Sequence, residues 1–171
     1  DVPQDWFFRV GITYDDIEFG SDFGQLSFDV TELDLPVTVF NTTDDPSGVN
    51  IEQLHAILTF GPDLVQVSEL YQVNNSASTV FVGQSGDPAQ GTFEISVPDD
   101  AMGVDFQRGF NTLDSFIPAN EVVSTASGYA DTLPLRPGPG LLTMLVTYGL
   151  PYDGGVTISH SIAYATRRIT L

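Results

Sequence analysis

The chain has 171 residues, enough to enclose a hydrophobic core, and carries 23 acidic against five basic residues, a net charge of -18. All five basic residues are arginines, and neither lysine nor cysteine occurs. Such a negative field excludes binding to nucleic-acid phosphates and docking on anionic lipid headgroups. The lack of cysteine excludes disulfides, thiolate metal sites and a cysteine nucleophile. No apolar run approaches the roughly 18 residues of a membrane span, so we expect no membrane insertion by this segment.

The first pattern along the chain is aromatic and typical of a strand. Residues 6–14 alternate large apolar side chains, which predicts a single strand that ends at an Asp15-Asp16 turn. One face of this strand would carry Trp6, Phe8, Val10, Ile12 and Tyr14. Residues 1–30 are therefore interpreted as an N-terminal strand segment with two alternatives. Either it belongs to the chain's own sheet, or it is a donor strand whose aromatic face forms the interface with a neighbouring subunit.

Residues 31–171 predict an antiparallel β-sandwich, of immunoglobulin-like or jelly-roll-like type, with little or no helix. Short runs of alternating apolar residues are separated by turns rich in glycine and proline. Glu69 is the single polar member of one apolar face. Residues 49–58 also fit a helical stripe, but their neighbours favour a strand. The predicted strands are 35–41, 54–60, 65–73, 93–97, 142–148 and 156–164.

Four carboxylates near the first turn form a candidate calcium site: Asp15, Asp16, Glu18 and Asp22. Calcium takes six to eight oxygen ligands, and carboxylates in loops are their usual source. The spacing does not match an EF-hand loop, and a solvated acidic loop is the alternative. The same carboxylates would offset repulsion between like-charged subunits if they held divalent cations.

The sequence contains no catalytic signature, and we expect that the protein is not an enzyme. His55 and His160 lie within strand-like runs, where a histidine is usually structural, and no G-x-S-x-G motif accompanies them. One set of aromatic residues could form a platform for a sugar, with core packing as the alternative: Trp6, Tyr71, Tyr129, Tyr148, Tyr152 and Tyr164.

Two N-glycosylation sequons occur, at Asn41 and Asn74, and each is predicted in a surface turn. These two asparagines can be glycosylated only if the chain is exported. The acidic composition without lysine has two interpretations, a surface adapted to high salt or an extracellular surface that binds divalent cations or glycan. Both point away from an ordinary cytoplasm.

Several strand and turn patterns occur together in a familiar order: 35–43, 51–55, 65–71, 91–98, 130–138 and 148–154. Over roughly residues 30–171 the chain resembles a β-sandwich region of exported, often membrane-anchored bacterial surface proteins. In those proteins the region follows a carboxypeptidase-regulatory-like module, and residues 7–28 look like the tail of that module. The resemblance implies an extracellular or cell-surface location and supplies no catalytic residue.

These observations favour a non-enzymatic structural protein of the cell surface or extracellular matrix. We expect self-association into a homo-oligomer or a filament, a protein fibril, by strand exchange. The alternative is a carbohydrate-binding accessory module of a larger surface protein.

Overall fold

The structure, a computed structural model, describes residues 6–27, 29–30, 32–109, 116–159 and 161–171. About half of the residues lie in strands, and the only helical segments described are two short 3-10 turns. The fold class is all-β, as the alternating pattern predicted, and is consistent with a β-sandwich. The chain divides into two compact units, Asp1–Asn41 and Thr42–Leu171. This division lies eleven residues beyond the boundary that the sequence suggested after residue 30.

The N-terminal unit consists of two short antiparallel pairs: β1 (Phe7–Phe8) with β4 (Gly24–Gln25), and β2 (Gly11–Tyr14) with β3 (Ile17–Gly20). The prediction of one strand over residues 6–14 is therefore wrong, because the chain changes partner between β1 and β2. Val10 lies at this change and is held by Ser21. The Ser21 amide donates to the Val10 carbonyl at 2.9 Å, and the Val10 amide donates to Ser21 Oγ at 3.0 Å.

Asp15 and Asp16 form the two-residue turn between β2 and β3, as predicted. Both have positive φ angles, 53° and 59°. This is the backbone of a type I′ turn, whose twist matches that of the flanking strands. The next apolar run, residues 35–41, was predicted as a strand but pairs with no strand within the described residues. Pro36 has no amide proton to donate, and Leu35 instead packs over Gly24.

The larger unit contains a main sheet, a smaller sheet and a short strand pair. Its strands are β5 (Thr42–Thr43), β6 (Val49–Phe60), β7 (Leu64–Asn75), β8 (Val80–Phe81), β9 (Phe93–Ile95), β10 (Met102–Gly109), β11 (Phe116–Pro118), β12 (Val122–Thr125), β13 (Gly128–Asp131), β14 (Gly138–Pro151), β15 (Ala165–Thr166) and β16 (Ile169–Thr170). The main sheet has the order β11-β10-β14-β7-β6, and β15 and β16 pair with β6 in parallel. The smaller sheet has the order β12-β13-β9, and β5 pairs with β8.

The core of this unit lies between the main sheet and the smaller sheet. Alternate residues of β6, β7 and β14 are buried, which confirms three of the predicted strands, and Phe93 and Ile95 of β9 join them. The Tyr71 ring meets the Phe93 ring edge-on at 6.0 Å. The strands between residues 102 and 131 were not predicted. Within the described part of the chain, no helix is long and apolar enough to cross a membrane.

The predicted strand at 156–164 is wrong, since its described residues belong to no sheet. Val156 and Ile158 still pack against the core, so their alternation reflects side-chain packing without a backbone ladder. Tyr164 anchors the segment, because its ring stacks on Phe93 at 4.9 Å. Its hydroxyl accepts from the Glu94 amide at 3.0 Å and donates to the Thr92 carbonyl at 3.1 Å.

Asn75 closes the end of β7 with a fully buried amide. Its Nδ2 donates to the carbonyls of Thr79 and Leu135 at 2.9 and 2.8 Å, and its Oδ1 accepts from the Ala77 amide at 3.0 Å. The side chain thus ties β7 to the loop before β8 and to the loop before β14. A buried polar group whose hydrogen bonds can form in only one arrangement of the surrounding backbone stabilises that arrangement over others.

We expect Asn75→Ala to destabilise the larger unit by about 2–4 kcal/mol, since it leaves the Thr79 carbonyl and the Ala77 amide without their partner and leaves the Leu135 carbonyl only the Phe81 amide. Asn74→Ala is the matched control, because the neighbouring side chain makes one long contact, 3.5 Å to Glu52. Urea unfolding measured by far-UV circular dichroism compares the two variants. Equal stability losses would contradict the role of Asn75.

Candidate functional site

The four predicted calcium ligands do not converge in the structure. Asp15 and Asp16 are turn residues, Glu18 lies on β3, and Asp22 follows β3. No group of three or more histidine or carboxylate side chains that could hold a metal ion occurs among the described residues. The turn geometry itself accounts for the two aspartates, since aspartate tolerates positive φ better than most residues. Calcium binding stays a prediction without support from the geometry.

The five predicted interface residues lie in the N-terminal unit but not on one strand: Phe8 lies on β1, Ile12 and Tyr14 lie on β2, and Trp6 and Val10 lie outside both strands. Trp6, Val10, Ile12 and Tyr14 are exposed, and Phe8 is half-buried. They therefore do not form the core of the unit. Its buried apolar residues in the described part are Ile17 and Phe19 of β3.

Phe7 and Phe23 join the predicted interface residues as exposed aromatics that the sequence analysis did not single out. Trp6, Phe7 and Phe23 are 60%, 67% and 68% exposed, respectively. The Arg9 guanidinium lies over the Phe23 ring, 5.7 Å from its centroid. We use the name aromatic surface for the exposed set Trp6, Phe7, Val10, Ile12, Tyr14 and Phe23. Several large apolar side chains exposed on one small unit are typical of an interaction site, because water disfavours large exposed apolar area.

The two sequons lie in different environments. Asn41 is exposed outside any strand, and its Oδ1 accepts a hydrogen bond from the Tyr14 hydroxyl at 3.0 Å. Asn74 lies within β7 opposite Asn50 and is half-buried, so the prediction of a surface turn at this position is wrong. The strand continues through Asn74 because the buried amide of Asn75 fixes the next position.

The two histidines and the aromatic residues of the candidate sugar platform also lie in environments that differ from one residue to the next. His55 lies half-buried on β6, opposite Leu70, and His160 lies outside the described residues. Tyr71, Tyr148 and Tyr164 are buried in the core. These three tyrosines are therefore core aromatics and cannot offer a ring to a sugar.

Glu69 is a buried carboxylate with two tyrosine partners. It lies on β7 and faces the core, where the Tyr71 hydroxyl donates to Oε2 at 2.7 Å and the Tyr148 hydroxyl donates to Oε1 at 2.9 Å. The polar residue in an apolar strand face was the sequence signal for this cluster. Burial raises the pKa of both tyrosines, and the Glu69 charge and hydrogen bonds raise each pKa further.

A second buried cluster joins the two sheets of the larger unit. Arg108 of β10 donates from Nε to Asp131 Oδ2 of β13 at 3.0 Å and from Nη2 to Asp131 Oδ1, so the contact is bidentate. Its Nη1 donates to the exposed Glu121 at 3.2 Å. Burial alone would lower the pKa of Arg108, but the hydrogen bonds and charge of Asp131, with those of Glu121, raise it. Sequence reasoning missed this cluster because it missed β10.

Both buried clusters stabilise the fold, and neither opens to a reacting group. Every donor nitrogen of Arg108 has a carboxylate partner, and both oxygens of Glu69 accept a hydroxyl. Among the described residues, exposed large apolar side chains occur most densely in the N-terminal unit, where they include the aromatic surface. That surface is the candidate functional site.

No protein-family model, curated protein or solved structure matches the chain. The sequence resemblance to exported bacterial surface proteins therefore stays a prediction.

We expect Asp131→Asn to cost about 3–5 kcal/mol of unfolding free energy, because it leaves the buried Arg108 with only the exposed Glu121 as a counter-charge. Glu121→Gln is the matched control and should cost at most about 1 kcal/mol, since Glu121 is exposed. The double variant Arg108→Met with Asp131→Leu should recover most of the loss. Failure of Asp131→Asn to differ from Glu121→Gln in chemical denaturation would contradict the role of this ion pair.

We expect the larger unit to lose stability at alkaline pH through its buried tyrosines. Burial raises the pKa of Tyr164 to about 12, and Tyr71 and Tyr148 are also raised above the ordinary value of 10. The folded state therefore keeps protons that the unfolded state releases. Stability is intact below pH 10 and falls above it, by about 1.4 kcal/mol per pH unit for each protonated tyrosine.

Urea unfolding from pH 8 upward measures this loss. Tyr71→Phe removes one titrating group, so its stability should fall less steeply with pH than that of the unmodified protein. An unchanged slope would show that Tyr71 ionises equally in both states.

Proposed function

We propose that the protein is a non-enzymatic structural subunit of the cell surface or extracellular matrix that self-associates through the aromatic surface. The observation that carries this proposal is the exposure of Trp6, Phe7 and Phe23 in a unit with few buried apolar residues. Burial of apolar area contributes about 25 cal/mol per Å², so covering three large aromatic rings supplies a substantial driving force for association.

The charge of the molecule supports an environment rich in salt or divalent cations. Two copies at -18 each repel one another at long range in dilute salt. The Debye length falls from about 30 Å at 0.01 M to about 3 Å at 1 M ionic strength, whereas apolar contacts persist. A subunit of this composition therefore associates where ionic strength is high, as outside cells in saline surroundings.

The internal bonding of the larger unit also supports a scaffold role. Its two sheets are joined by the buried Arg108–Asp131 pair, and the end of β7 is fixed by Asn75. Buried hydrogen bonds therefore hold the chain at these points, where no disulfide is possible because the chain has no cysteine. A rigid body transmits position from one subunit to the next, which is what a filament or matrix requires.

Carbohydrate binding is the competing function for the same side chains. Three of the platform tyrosines are buried, and Tyr129 and Tyr152 are half-buried against Phe106 and Phe60. The more exposed aromatics, which include Trp6, Phe7 and Phe23 of the N-terminal unit, are better placed for stacking on a sugar. A monomer that binds glycan saturably, and loses that binding on substitution of Trp6, would replace self-association as the function of this surface.

We expect the variant Trp6→Ser, Phe7→Ser, Phe23→Ser to remain monomeric in high salt, where the unmodified protein forms oligomers. Ile117→Ser is the matched control, because it removes an exposed apolar side chain from the larger unit. Sedimentation velocity over a range of salt concentrations, with calcium and with chelator, measures the distribution of species. The calcium arm also tests whether cations act beyond screening.

An unmodified protein that stays monomeric at its highest soluble concentration, in high salt and with calcium, would overturn the proposal. Oligomers that persist in the triple variant would place the interface elsewhere.

A further inference from the structure

The two edges of the main sheet differ in how they are protected against pairing. At one edge, β11 covers Gln107–Gly109, and the rest of β10 carries a bulge between Met102 and Asp105. Gly103 within this bulge has a φ of 62°. A β-bulge and a charged residue on an edge strand, here Asp105, are common features that prevent the addition of another strand.

The opposite edge lacks these devices over Ile57–Phe60. There β15 and β16 pair with β6 at Asn50–Ile51 and at Leu54–His55, and beyond them the described residues offer β6 no partner except β7. The Leu54 amide donates outward to the Arg168 carbonyl at 2.9 Å. By the two-residue period of a strand, Leu58 and Phe60 also direct their amides and carbonyls to this edge.

This open edge is uncharged and apolar. Ile57 and Phe60 are 52% and 57% exposed, and no acidic residue occurs from Gln53 to Pro62. The register with β7 is regular from Gln53 to Phe60, so the edge is not bent away from a partner. In a chain with 23 acidic residues, a flat neutral edge is the place where another copy meets least repulsion.

The N-terminal unit offers a second edge with the same properties. β2 pairs with β3 on one side, and within the described residues its other side is open. Its four residues, Gly11 to Tyr14, are uncharged and exposed. Since Tyr14 and Ile17 flank a two-residue turn and pair with each other, Gly11 and Thr13 direct their amides and carbonyls outward.

We propose that β2 of one copy adds to the Ile57–Phe60 edge of β6 in the next copy, as an antiparallel strand. This inference rests on the proposed self-association and names its acceptor. The outward groups match when Thr13 lies opposite Leu58 and Gly11 lies opposite Phe60, which forms four backbone hydrogen bonds. Strand addition of this kind needs no opening of the hairpin, in contrast to the strand exchange that the sequence suggested.

The side chains in this register are compatible. Tyr14 meets Ile57, an aromatic and β-branched cross-strand pair, which is a favourable combination. Phe60 lies opposite Gly11, and the protein already contains this pairing within its own main sheet. There Phe116 lies opposite Gly109, and a Cβ placed on Gly109 would stand 3.0 Å from the Phe116 ring.

The two surfaces differ from one another, so the contact is head-to-tail. Repeated head-to-tail contacts produce a ring when the rotation closes and an open filament when it does not. A filament of this kind has the same donor and acceptor at every junction. A substitution in either the donor strand or the acceptor edge therefore weakens every junction of the filament.

Thr59→Asp tests the acceptor edge, since it places a carboxylate beside the added strand. We expect about tenfold weaker association, the effect of about 1.4 kcal/mol from a carboxylate that the neighbouring Ile12 of the added strand partly removes from water. Gln66→Asp is the matched control, because Gln66 lies directly opposite Thr59 on β7, one strand in from the edge, and gives the same change in charge. Sedimentation velocity in high salt should show association weakened about tenfold in Thr59→Asp and unchanged in Gln66→Asp.

Cysteine cross-linking tests the register directly, because the chain has no cysteine of its own. In the proposed pairing Ile12 lies opposite Thr59, about 4.5 Å between Cα atoms, which is within disulfide reach. A mixture of Ile12→Cys and Thr59→Cys chains should form a covalent heterodimer on mild oxidation. A mixture of Ile12→Cys and Gln66→Cys chains should not.

The outcomes separate the two proposals. If the unmodified protein associates but Thr59→Asp associates equally and no heterodimer forms, the acceptor edge is wrong and self-association through the aromatic surface stands. If the unmodified protein stays monomeric, both proposals fail. A chain carrying both cysteines that forms only an internally linked monomer would place β2 against its own β6 and overturn head-to-tail addition.

Discussion

The buried ion pair between Arg108 and Asp131 is the interaction on which the larger unit depends. Arg108 comes from the main sheet and Asp131 from the smaller sheet, so the pair crosses the core and sets how the sheets meet. Two charges removed from water are tolerated only when their geometry is bidentate and their remaining groups are hydrogen-bonded. Asp131 meets this condition, since Oδ1 also accepts from the Leu133 amide at 3.1 Å.

The other buried polar groups extend the same constraint through the unit. Glu69 is satisfied by two tyrosine hydroxyls within the main sheet, and Tyr164 connects the C-terminal segment to β9. Asn75 joins β7 to two loops. Each of these groups makes its hydrogen bonds in one arrangement only, so together they select a single packing of the sheets. An apolar core alone specifies packing less strictly.

Alternation along the chain predicted the long strands well, because β6, β7 and β14 each bury one face over many residues. It failed for residues 35–41 and 156–164, since alternation reports which side chains are buried and not whether the backbone has a partner strand. It missed β10 because Arg108 occupies a position on the buried face where an apolar residue is expected, and because Gly103 interrupts the pattern.

The candidate site was predictable only in part. The sequence indicated an aromatic face on residues 6–14, but the change of partner at Val10 and the open edges of β2 and β6 depend on pairing across the chain. Residue spacing contains no information on such pairing. The Arg108–Asp131 contact could not be predicted from residue spacing either, because its two residues lie on strands of different sheets.

The distribution of acids is compatible with the proposed association of so anionic a chain. The outward face of the three central strands of the main sheet carries no carboxylate over Gln53, His55, Ile57, Thr59, Gln66, Ser68, Leu70, Gln72, Thr143, Leu145, Thr147 and Gly149. Acidic pairs lie instead in connecting segments, as at Asp44-Asp45 and Asp99-Asp100. Repulsion from these segments acts over the Debye length and weakens with salt, whereas strand pairing and apolar contact act at atomic distance and do not. The proposed contact between copies is therefore expected to depend on ionic strength, while its contacting segments, Gly11–Tyr14 and Ile57–Phe60, carry no charge.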